Sequence, residues 1–412
     1  MRIRTLFVAV FICAGCLAAQ PAYDLLLKGG HVIDPKNKIN GLMDVAIARG
    51  RIAQVGPGIS AAQAKNVVDV SGLYVTPGLI DIHVHVYTNT GQHGLTGDSS
   101  VYPDAFSFRS CVTTMVDAGS AGWRNFPDFK EKIIDRSRTR VLAFLNISGG
   151  GMGPTGEQDK TDLDPLSAAL MARQNSKVIV GYKTAHYGGP EWISVENAIK
   201  AGELTNQPMM VDFGANRPER TIEELLTKKL RPGDIYTHVY SGLRNELLPA
   251  GRINPALIEG QKRGVVMDIG HGGGSFRWSV AVQAYKENLL PDVVSTDLHT
   301  GSMNAGMKDM LNVASKILNL GSSLEETIRL STWKPANVIK RPDLGHLSVG
   351  AEADVAVIRL ESGQFGFIDS YGSRLDGTKR LSPEMTIRHG QVVWDLNGRS
   401  VPDWKTASSS RN

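Results

Sequence analysis

The feature that most constrains the fold is a repeated alternation of short apolar segments with helix-like segments. Eight runs rich in β-branched residues recur about every thirty residues, and they begin near residues 74, 111, 139, 177, 208, 234, 265 and 293. Apolar residues at helical spacing fill the intervals, as in residues 164–176, 194–206, 219–230, 254–264 and 279–289. This rhythm predicts an α/β fold, a (β/α)8 TIM barrel. Helix starts are predicted at Ser194 and, from a capping-box pattern with Glu224, at Thr221.

The two ends of the chain follow a different pattern. Residues 23–59 and 353–398 alternate apolar and polar residues around Gly and Asn turns, which is typical of short antiparallel strands. We expect both ends to form one small β-sandwich. The predicted domains are therefore the sandwich's N-terminal part (20–74), the barrel (75–344), the sandwich's C-terminal part (345–398) and a tail (399–412).

Residues 1–19 resemble a secretory signal peptide. They contain Arg2 and Arg4, an apolar run, and small residues before Gln20, and the run is short for a membrane span. We expect cleavage after Ala19 and export to the periplasm or medium; lipidation at Cys16 is the alternative. The sequence has three cysteines, of which only Cys111 lies beyond this segment, so we expect it to be a buried, unpaired thiol.

The charge pattern argues against nucleic acid as a partner. The formal net charge is +4, and no basic cluster follows the N-terminal segment. A small molecule is the expected partner, and no membrane span is predicted.

Polar residues recur where the predicted barrel strands end, the position at which barrels of this type carry their chemistry. These residues are His83, His85, Lys183, Asp212, His238, His271, Asp297 and His299. A single histidine on an apolar strand is usually a hydrogen-bonded core residue. Burying this many polar groups together is costly unless a cation satisfies them, and imidazole with carboxylate is a ligand set for Zn²⁺. The sequence therefore predicts a metal site.

The first strand, TPGLIDIHVHV, carries two histidines two residues apart. Because a strand alternates its faces, His83 and His85 should point to one side and Ile82, Val84 and Val86 to the other.

Lys183 needs a separate explanation, because an ammonium beside metal ions would be repelled. A neutral amine can react with carbon dioxide to form a carbamate, an anion able to bridge two metals; a surface lysine or an unmodified catalytic lysine is the alternative.

Taken together, these residues resemble the amidohydrolase superfamily over residues 23–398. His83 and His85 match its strand-1 His-x-His motif, Lys183 its carbamylated strand-4 lysine, His238 its strand-6 histidine and Asp297 its strand-8 aspartate. Phrases such as VTTMVDAGSAG, RPGDIYTHVYSG and STDLHTGSMNAGM are similar to its amidohydrolase/deacetylase metallohydrolases, a dihydroorotase-like branch. The resemblance implies two divalent metal ions, with Zn²⁺ favoured and Mn²⁺ as the alternative.

One position departs from the family pattern. Where strand 5 ordinarily supplies a histidine, this sequence has Asp212 in MMVDFG, and no histidine is expected nearby to replace it. A carboxylate is a competent Zn²⁺ or Mn²⁺ ligand. We expect Asp212 to be a ligand, the alternative being that it only orients a neighbour.

The implied reaction is attack of a metal-bridging hydroxide on an amide or ester carbonyl, in a deacetylase or deacylase of a small carboxylate-bearing substrate. Asp297 is the expected general base and acid. His271, in GHGGGSF, is a catalytic or substrate-contact candidate. Further substrate-contact candidates are Arg124, His299, Ser302 and Asn304.

Two other functions remain open. A cyclic amidase such as a dihydroorotase or hydantoinase would use the same metals, although the arginine expected shortly after His-x-His is replaced by VYTNTG. The alternative from another class is a metal-free barrel that acts as a binding protein. A deaminase of this superfamily would normally lack Lys183. The acyl group and the number of subunits, including a homo-oligomer, depend on loop side chains.

Overall fold

The structure, a computed structural model, describes residues 21–88, 90–91, 97–153, 156–214 and 217–405. The predicted signal segment, Cys16 and the end of the predicted tail lie outside the described residues. Within those residues two sheets form. Their strands are β1 (Tyr23–Asp34), β2 (Ile39–Ala48), β3 (Arg51–Gly56), β4 (Ala64–Asp69), β5 (Tyr74–Pro77), β6 (Leu79–Val84), β7 (Val112–Gly122), β8 (Arg140–Asn146), β9 (Ile179–Thr184), β10 (Met209–Val211), β11 (Ile235–Tyr236), β12 (Val266–Met267), β13 (Val355–Ile368), β14 (Arg374–Arg388) and β15 (Gln391–Asp395).

The first sheet is built from both ends of the chain, as the sequence predicts. Its order is β15-β14-β13-β5-β1-β2-β3, and β4 pairs with β1. The two ends meet at β5, which runs parallel to β1 and antiparallel to β13, with Val75 opposite Val357. Inward-facing side chains from both ends, such as Leu27 and Met385, share one apolar cluster. Neither end can bury this face alone.

The second sheet is parallel and curled, in the order β12-β11-β10-β9-β8-β7-β6. Seven of the eight predicted barrel strands are these strands. The eighth run contributes isolated parallel bridges at both edges, Asp268 with Val293 and Val84 with Leu298. The amide of His85 donates to the carbonyl of Leu298 at 2.9 Å. The eighth run therefore contacts both the last and the first strand of the sheet.

Helices separate most of these strands. In the described part of the chain they are α1 (Pro103–Phe106), α2 (Phe126–Lys132), α3 (Pro165–Gln174), α4 (Ile193–Thr205), α5 (Ile222–Glu224), α6 (Pro255–Lys262), α7 (Trp278–Lys286), α8 (Thr300–Met303), α9 (Met310–Leu320), α10 (Leu324–Ser331) and α11 (Trp333–Val338). The five helical segments expected from periodicity coincide with α3 to α7. No helix among the described residues is long and apolar enough to span a membrane.

Helix starts show how local chemistry fixes the boundaries. Thr221 caps α5 as predicted, and its side chain accepts from the amide of Glu224. The remainder of that segment, Leu225–Lys229, is π-helical. Ser194 is not a cap, because α4 begins one residue earlier, after Trp192.

Two details of the predicted strands are tested by the structure. Cys111 is a fully buried free thiol, as expected, and burial raises its pKa to about 12.

The prediction that Ile82 and Val84 share one face of the first barrel strand is wrong. The pairing register shifts between Asp81 and Val84, and Ile82 and Val84 belong to different apolar clusters.

Phe144 of β8 is fully buried among apolar side chains of the parallel sheet, including Ile82 and Met210. Replacing it with alanine should lower the free energy of unfolding by about 3–5 kcal/mol, because it leaves a cavity. Chemical denaturation measures the loss. Leu166→Ala, on the exposed surface of α3, serves as control and should change stability by about 0.5 kcal/mol or less. Equal stabilities of the two variants would contradict the packing described here.

Candidate metal centre

A cavity of about 400 Å³ opens where the parallel strands end. Seven of the eight predicted strand-end residues line it; His271 does not. The lining residues are His83, His85, Met152, Lys183, His186, Asp212, His238, Gly273, Gly274, Ser275, Asp297, His299 and Gly301. The carboxyl ends of parallel strands meet at one edge of a sheet, which is why residues distant in sequence converge here.

The ring of His83 is fixed by a buried chain of hydrogen bonds. The hydroxyl of Thr237 donates to Asp268 at 2.7 Å and lies 2.9 Å from His83 Nδ1. Since that hydroxyl proton is committed to Asp268, His83 Nδ1 is the donor to Thr237. Asp268 also accepts from Ser295 at 2.6 Å. Nε2 of His83 is therefore left as a lone-pair donor facing the cavity.

His85 and His238 are held in the same orientation. Nδ1 of His238 donates to the carbonyl of Gly270 at 2.5 Å, and Nδ1 of His85 bonds the hydroxyl of Ser120 at 2.9 Å. In metal-binding histidines one ring nitrogen is commonly anchored in this way, which fixes the ring and the tautomer. All three rings thus present Nε2 to the cavity.

Two buried polar atoms, His85 Nε2 and Asp297 Oδ1, approach each other closely at the cavity. Among the described residues, neither His85 Nε2 nor Asp297 Oδ1 has a hydrogen-bond partner. These atoms lie 3.1 Å apart, and His83 Nε2 lies 3.5 Å from the same oxygen. Donors bound to one tetrahedral Zn²⁺ lie about 3.3–3.4 Å apart. Ligand atoms of His83, His238 and Asp297 also lie within 4.8 Å of one another. This donor set fits a divalent cation.

Charges around Asp297 keep it ionised. Burial alone would raise its pKa, but His83, His85 and His299 hold the pKa of this carboxyl well below its usual range. Conversely, burial and the neighbouring Lys183 ammonium lower the pKa of His83 to about 3. The site therefore combines a carboxylate with a neutral imidazole at neutral pH.

Lys183, at the end of β9, is buried beside these groups. Its Nζ lies 3.2 Å from His83 Nε2 and 3.4 Å from Met210 Sδ. Burial lowers its pKa, so the amine is easier to deprotonate than an exposed lysine. The stem packs on Gly119, where a Cβ would lie 2.7 Å from the Lys183 side chain.

Asp212 is shared between an arginine and two histidines. Its Oδ1 accepts from Nη2 of Arg244, and its Oδ2 lies 3.4 Å from Nε2 of His186 and 3.4 Å from Nε2 of His238. Burial opposes ionisation, but Arg244 and His238 hold the pKa of Asp212 well below its usual range. Asp212 therefore lies in the cavity as an anion.

The expectation that no histidine lies near Asp212 is wrong. His186, just beyond β9, lines the cavity between Asp212 and the buried Glu157, which is 3.2 Å from His186 Nδ1. Burial lowers the pKa of this ring, but hydrogen bonds to Asp212 and Glu157 outweigh it and raise the pKa to about 10.

Glycines after β12 allow the close approach that the site requires. A Cβ on Gly270 would lie 2.3 Å from Thr237 Oγ1, and one on Gly272 would lie 2.5 Å from Asp297 Oδ2. Both glycines have positive φ, of 45° and 56°, which side chains disfavour.

The expected substrate contact of His271 does not fit its position. The ring is fully buried behind the glycine loop, stacked on Phe276 at 4.5 Å and 8°. Its Nδ1 bonds the carbonyl of Gly272 at 3.0 Å, and its Nε2 lies 2.6 Å from Nζ of Lys316. Lys316 also donates to the carbonyls of Gly306 and Ile368. Since both ring nitrogens are occupied, His271 supports the loop and does not face the cavity.

Arg124 is also occupied. Its guanidinium forms two hydrogen bonds with Asp162 and lies over the ring of Trp123. A role in binding a substrate carboxylate would require it to leave Asp162.

The residues after the eighth run are placed differently from one another. His299 lines the cavity, with Nε2 3.9 Å from Asp297 Oδ2, and it caps α8 by accepting from the amide of Gly301. Ser302 is buried and donates to the main-chain carbonyl of Asp297 at 2.7 Å, so it positions the carboxylate. Asn304 is exposed at the end of α8.

Sequence reasoning missed four residues. Asp268 directly follows β12 and His186 lies two residues after β9, so the strand-end rule that identified the others could have identified these. Arg244 and Glu157 lie in loops with no periodic signal, and only the three-dimensional structure brings them to the cavity.

Comparison with known proteins places the chain in a family. A model described as the Amidohydrolase family matches residues 280–393. A deacetylase of Agrobacterium fabrum is 36% identical over 343 residues, 81% of each chain. The chain belongs to the amidohydrolase family. This amidohydrolase also resembles the crystal structures of a dihydroorotase (TM-score 0.79, 31% identity, 90% of this chain and 99% of that one) and an adenine deaminase (TM-score 0.82, 27% identity, 90% and 100%). It is a hydrolase of a family that acts on C–N bonds.

The Thr237 hydroxyl links His83 to Asp268, so Thr237→Val should weaken binding of Zn²⁺ to the amidohydrolase by about 10–100-fold. A chelator competition titration of the metal-stripped protein measures this change. Thr237→Ser keeps the hydroxyl and should bind as the unmodified protein does. Equal affinities of the Val and Ser variants would show that this hydroxyl does not orient a ligand.

Proposed function

We propose that this amidohydrolase is a deacylase that cleaves an amide or ester bond of a small, carboxylate-bearing acyl substrate with the help of two divalent metal ions. The observation that carries the proposal is the close approach of two buried atoms, His85 Nε2 and Asp297 Oδ1, neither of which has a hydrogen-bond partner among the described residues. Two further imidazoles present Nε2 to the same cavity. The deacetylase of Agrobacterium fabrum, similar over most of its length, supports the choice of an acyl group.

The residues proposed to hold the metals are those matched in the sequence: His83, His85, Lys183, Asp212, His238 and Asp297. Zn²⁺ suits a set of imidazole and carboxylate donors, and Mn²⁺ is the alternative because Asp212 is a hard ligand. A carbamate on Lys183 would remove the positive charge from a place surrounded by cation ligands and would add two oxygen donors.

The divalent ions, when bound, would lower the pKa of water to about 7 and polarise the acyl carbonyl. The protein's own contribution is proton transfer and positioning. Asp297, ionised and at the cavity wall, takes the proton of the attacking water and returns it to the leaving amine or alkoxide. Ser302 holds the main chain of Asp297 during this exchange. Gly273, Gly274 and Ser275 also line the cavity, where main-chain groups can approach a substrate closely.

The architecture proposed around this centre is a closed (β/α)8 barrel with a β-sandwich from both termini, over the ranges 20–74, 75–344 and 345–398. The bridges that the eighth run makes to β12 and β6 support barrel closure. The shared apolar cluster of β1 and β14 supports a common terminal domain. We also propose export of the protein, on the basis of its first nineteen residues.

A cyclic amidase is the second candidate, favoured by the 31% identity and 0.79 TM-score of the dihydroorotase structure. Both activities would use the same centre. A panel of N-acyl amino acids, acyl esters of hydroxy acids and cyclic imides, assayed with Zn- and Mn-loaded protein, separates them. Hydrolysis of linear acyl compounds alone supports the deacylase, and ring opening alone supports the cyclic amidase.

Asp297→Asn should reduce kcat by about 10²–10⁴-fold, because the amide cannot accept the proton. Metal content, measured by mass spectrometry of the purified protein, should remain that of the unmodified enzyme. Asp376→Asn, at an exposed site in the terminal sheet, is the control for the same chemical change. Turnover at the unmodified rate in Asp297→Asn would remove this residue from the mechanism.

Lys183→Ala should bind fewer metal ions than the unmodified protein, since no carbamate could form there to supply oxygen donors. After incubation with ¹³C-labelled bicarbonate, NMR should detect a carbamate carbon in the zinc-loaded protein and none in this variant. Lys65→Ala, altered at an exposed lysine, should retain the signal. An unlabelled but fully active zinc-loaded protein would show that Lys183 works without carbon dioxide.

A further inference from the structure

We propose that His186 is a ligand of the second divalent ion and takes the place of the histidine that strand 5 supplies in the proteins this sequence resembles. The inference rests on the proposed metal-dependent function and adds to it a residue that the family pattern does not assign. It follows from the position of His186 against Asp212, the residue that occupies the strand-5 position here.

The donor spacing at Asp212 fits a shared ion. Asp212 Oδ2 lies 3.4 Å from His186 Nε2 and 3.4 Å from His238 Nε2. Two donors of one tetrahedral Zn²⁺ lie about 3.3–3.4 Å apart, so each of these two pairs has the separation of atoms bound to a common ion. His238 is already expected to bind a metal, and His186 Nε2 lies equally far from the same carboxylate oxygen.

The second ring nitrogen of His186 is anchored as in the other cavity histidines. Its Nδ1 lies 3.2 Å from Oε2 of Glu157. Glu157 is 2% exposed, and its other oxygen accepts from Nδ2 of Asn146 at 3.0 Å. A carboxylate behind a metal-binding imidazole orients the ring and increases its basicity. Glu157 is placed to orient the His186 ring in this way.

The main chain also holds His186 at the cavity. Gln158 donates to the carbonyl of His186 at 2.8 Å and accepts from the amide of Gly188 at 2.9 Å. Arg220 donates to the carbonyl of Tyr187 at 2.7 Å. His186 itself has a φ of 52°, in the left-handed region that few side chains adopt. Its conformation is therefore set by neighbours on both sides.

Arg244 explains why one carboxylate does not suffice at strand 5. The guanidinium engages Oδ1 of Asp212 and leaves only Oδ2 for a metal. It also offsets the anionic charge that the aspartate brings in place of a neutral imidazole. His186 Nε2, which faces Asp212 Oδ2, would supply the missing donor, and binding of the metal ion would release the proton that the two neighbouring carboxylates otherwise hold on the ring. At 44% exposure the His186 side chain is more accessible than the other cavity histidines.

The test is metal binding by the full-length protein with zinc alone. Metal-stripped protein and its His186→Ala and Glu157→Gln variants are titrated with Zn²⁺ against a chromophoric chelator, and bound zinc is counted after gel filtration. We expect two ions in the unmodified protein. His186→Ala should bind the second ion at least 100-fold more weakly, and Glu157→Gln about 10–100-fold more weakly, as expected for a group behind a ligand.

His299→Ala is the matched control, because His299 lines the same cavity but its Nδ1 accepts from the amide of Gly301, so its Nε2 carries the proton. This variant should retain two ions. Zinc X-ray absorption of the loaded proteins should show fewer imidazole ligands per zinc in His186→Ala than in the unmodified protein, and no change in His299→Ala. If His186→Ala does not fold, Glu157→Gln decides the question.

The possible outcomes distinguish the role of His186 from the proposed metal-dependent function. Two ions in the unmodified protein with unchanged affinities in both His186→Ala and Glu157→Gln would overturn the role of His186 and leave the metal-dependent hydrolase intact. Failure of the unmodified protein to bind any zinc would overturn both.

Discussion

The whole site depends on how the cavity histidines use their two nitrogens. In His83, His85 and His238 one nitrogen is committed to a buried protein group and the other faces the cavity. Buried polar atoms that lack hydrogen-bond partners are unfavourable, and a cation bound among them would remove this cost. The supporting hydrogen bonds fix the orientation of the rings, so that their Nε2 atoms stay directed into the cavity.

Much of this could be predicted from sequence because strand ends obey a simple geometric rule. The alternation of eight apolar runs with helical segments predicted the parallel sheet. The polar residues at the predicted strand ends included His83, Lys183, His238 and Asp297, all of which line the cavity. The alternation at both chain ends predicted a shared small β-sandwich, and the structure shows that both ends contribute strands to one sheet.

The remaining parts depend on contacts that no periodicity encodes. His271 occupies the expected position in its motif, but Lys316 and Phe276 draw its ring behind the loop. Arg244 reaches Asp212 from a loop 32 residues further along. Glu157 and His186 meet because two loops pack together. In each case the direction of a side chain is decided by a partner far away in the sequence, and strand-end reasoning places only the main chain.

The meeting of the two chain ends at β5 has a consequence for biosynthesis. Because β5 pairs with β13, in a register that sets Val75 against Val357, the first strands cannot complete their sheet until almost the whole polypeptide has left the ribosome. Until then one edge of β5 offers unpaired main-chain groups to any other extended segment. A chain that stops before β13 would therefore lack its last strands and would also leave its first ones open to aggregation.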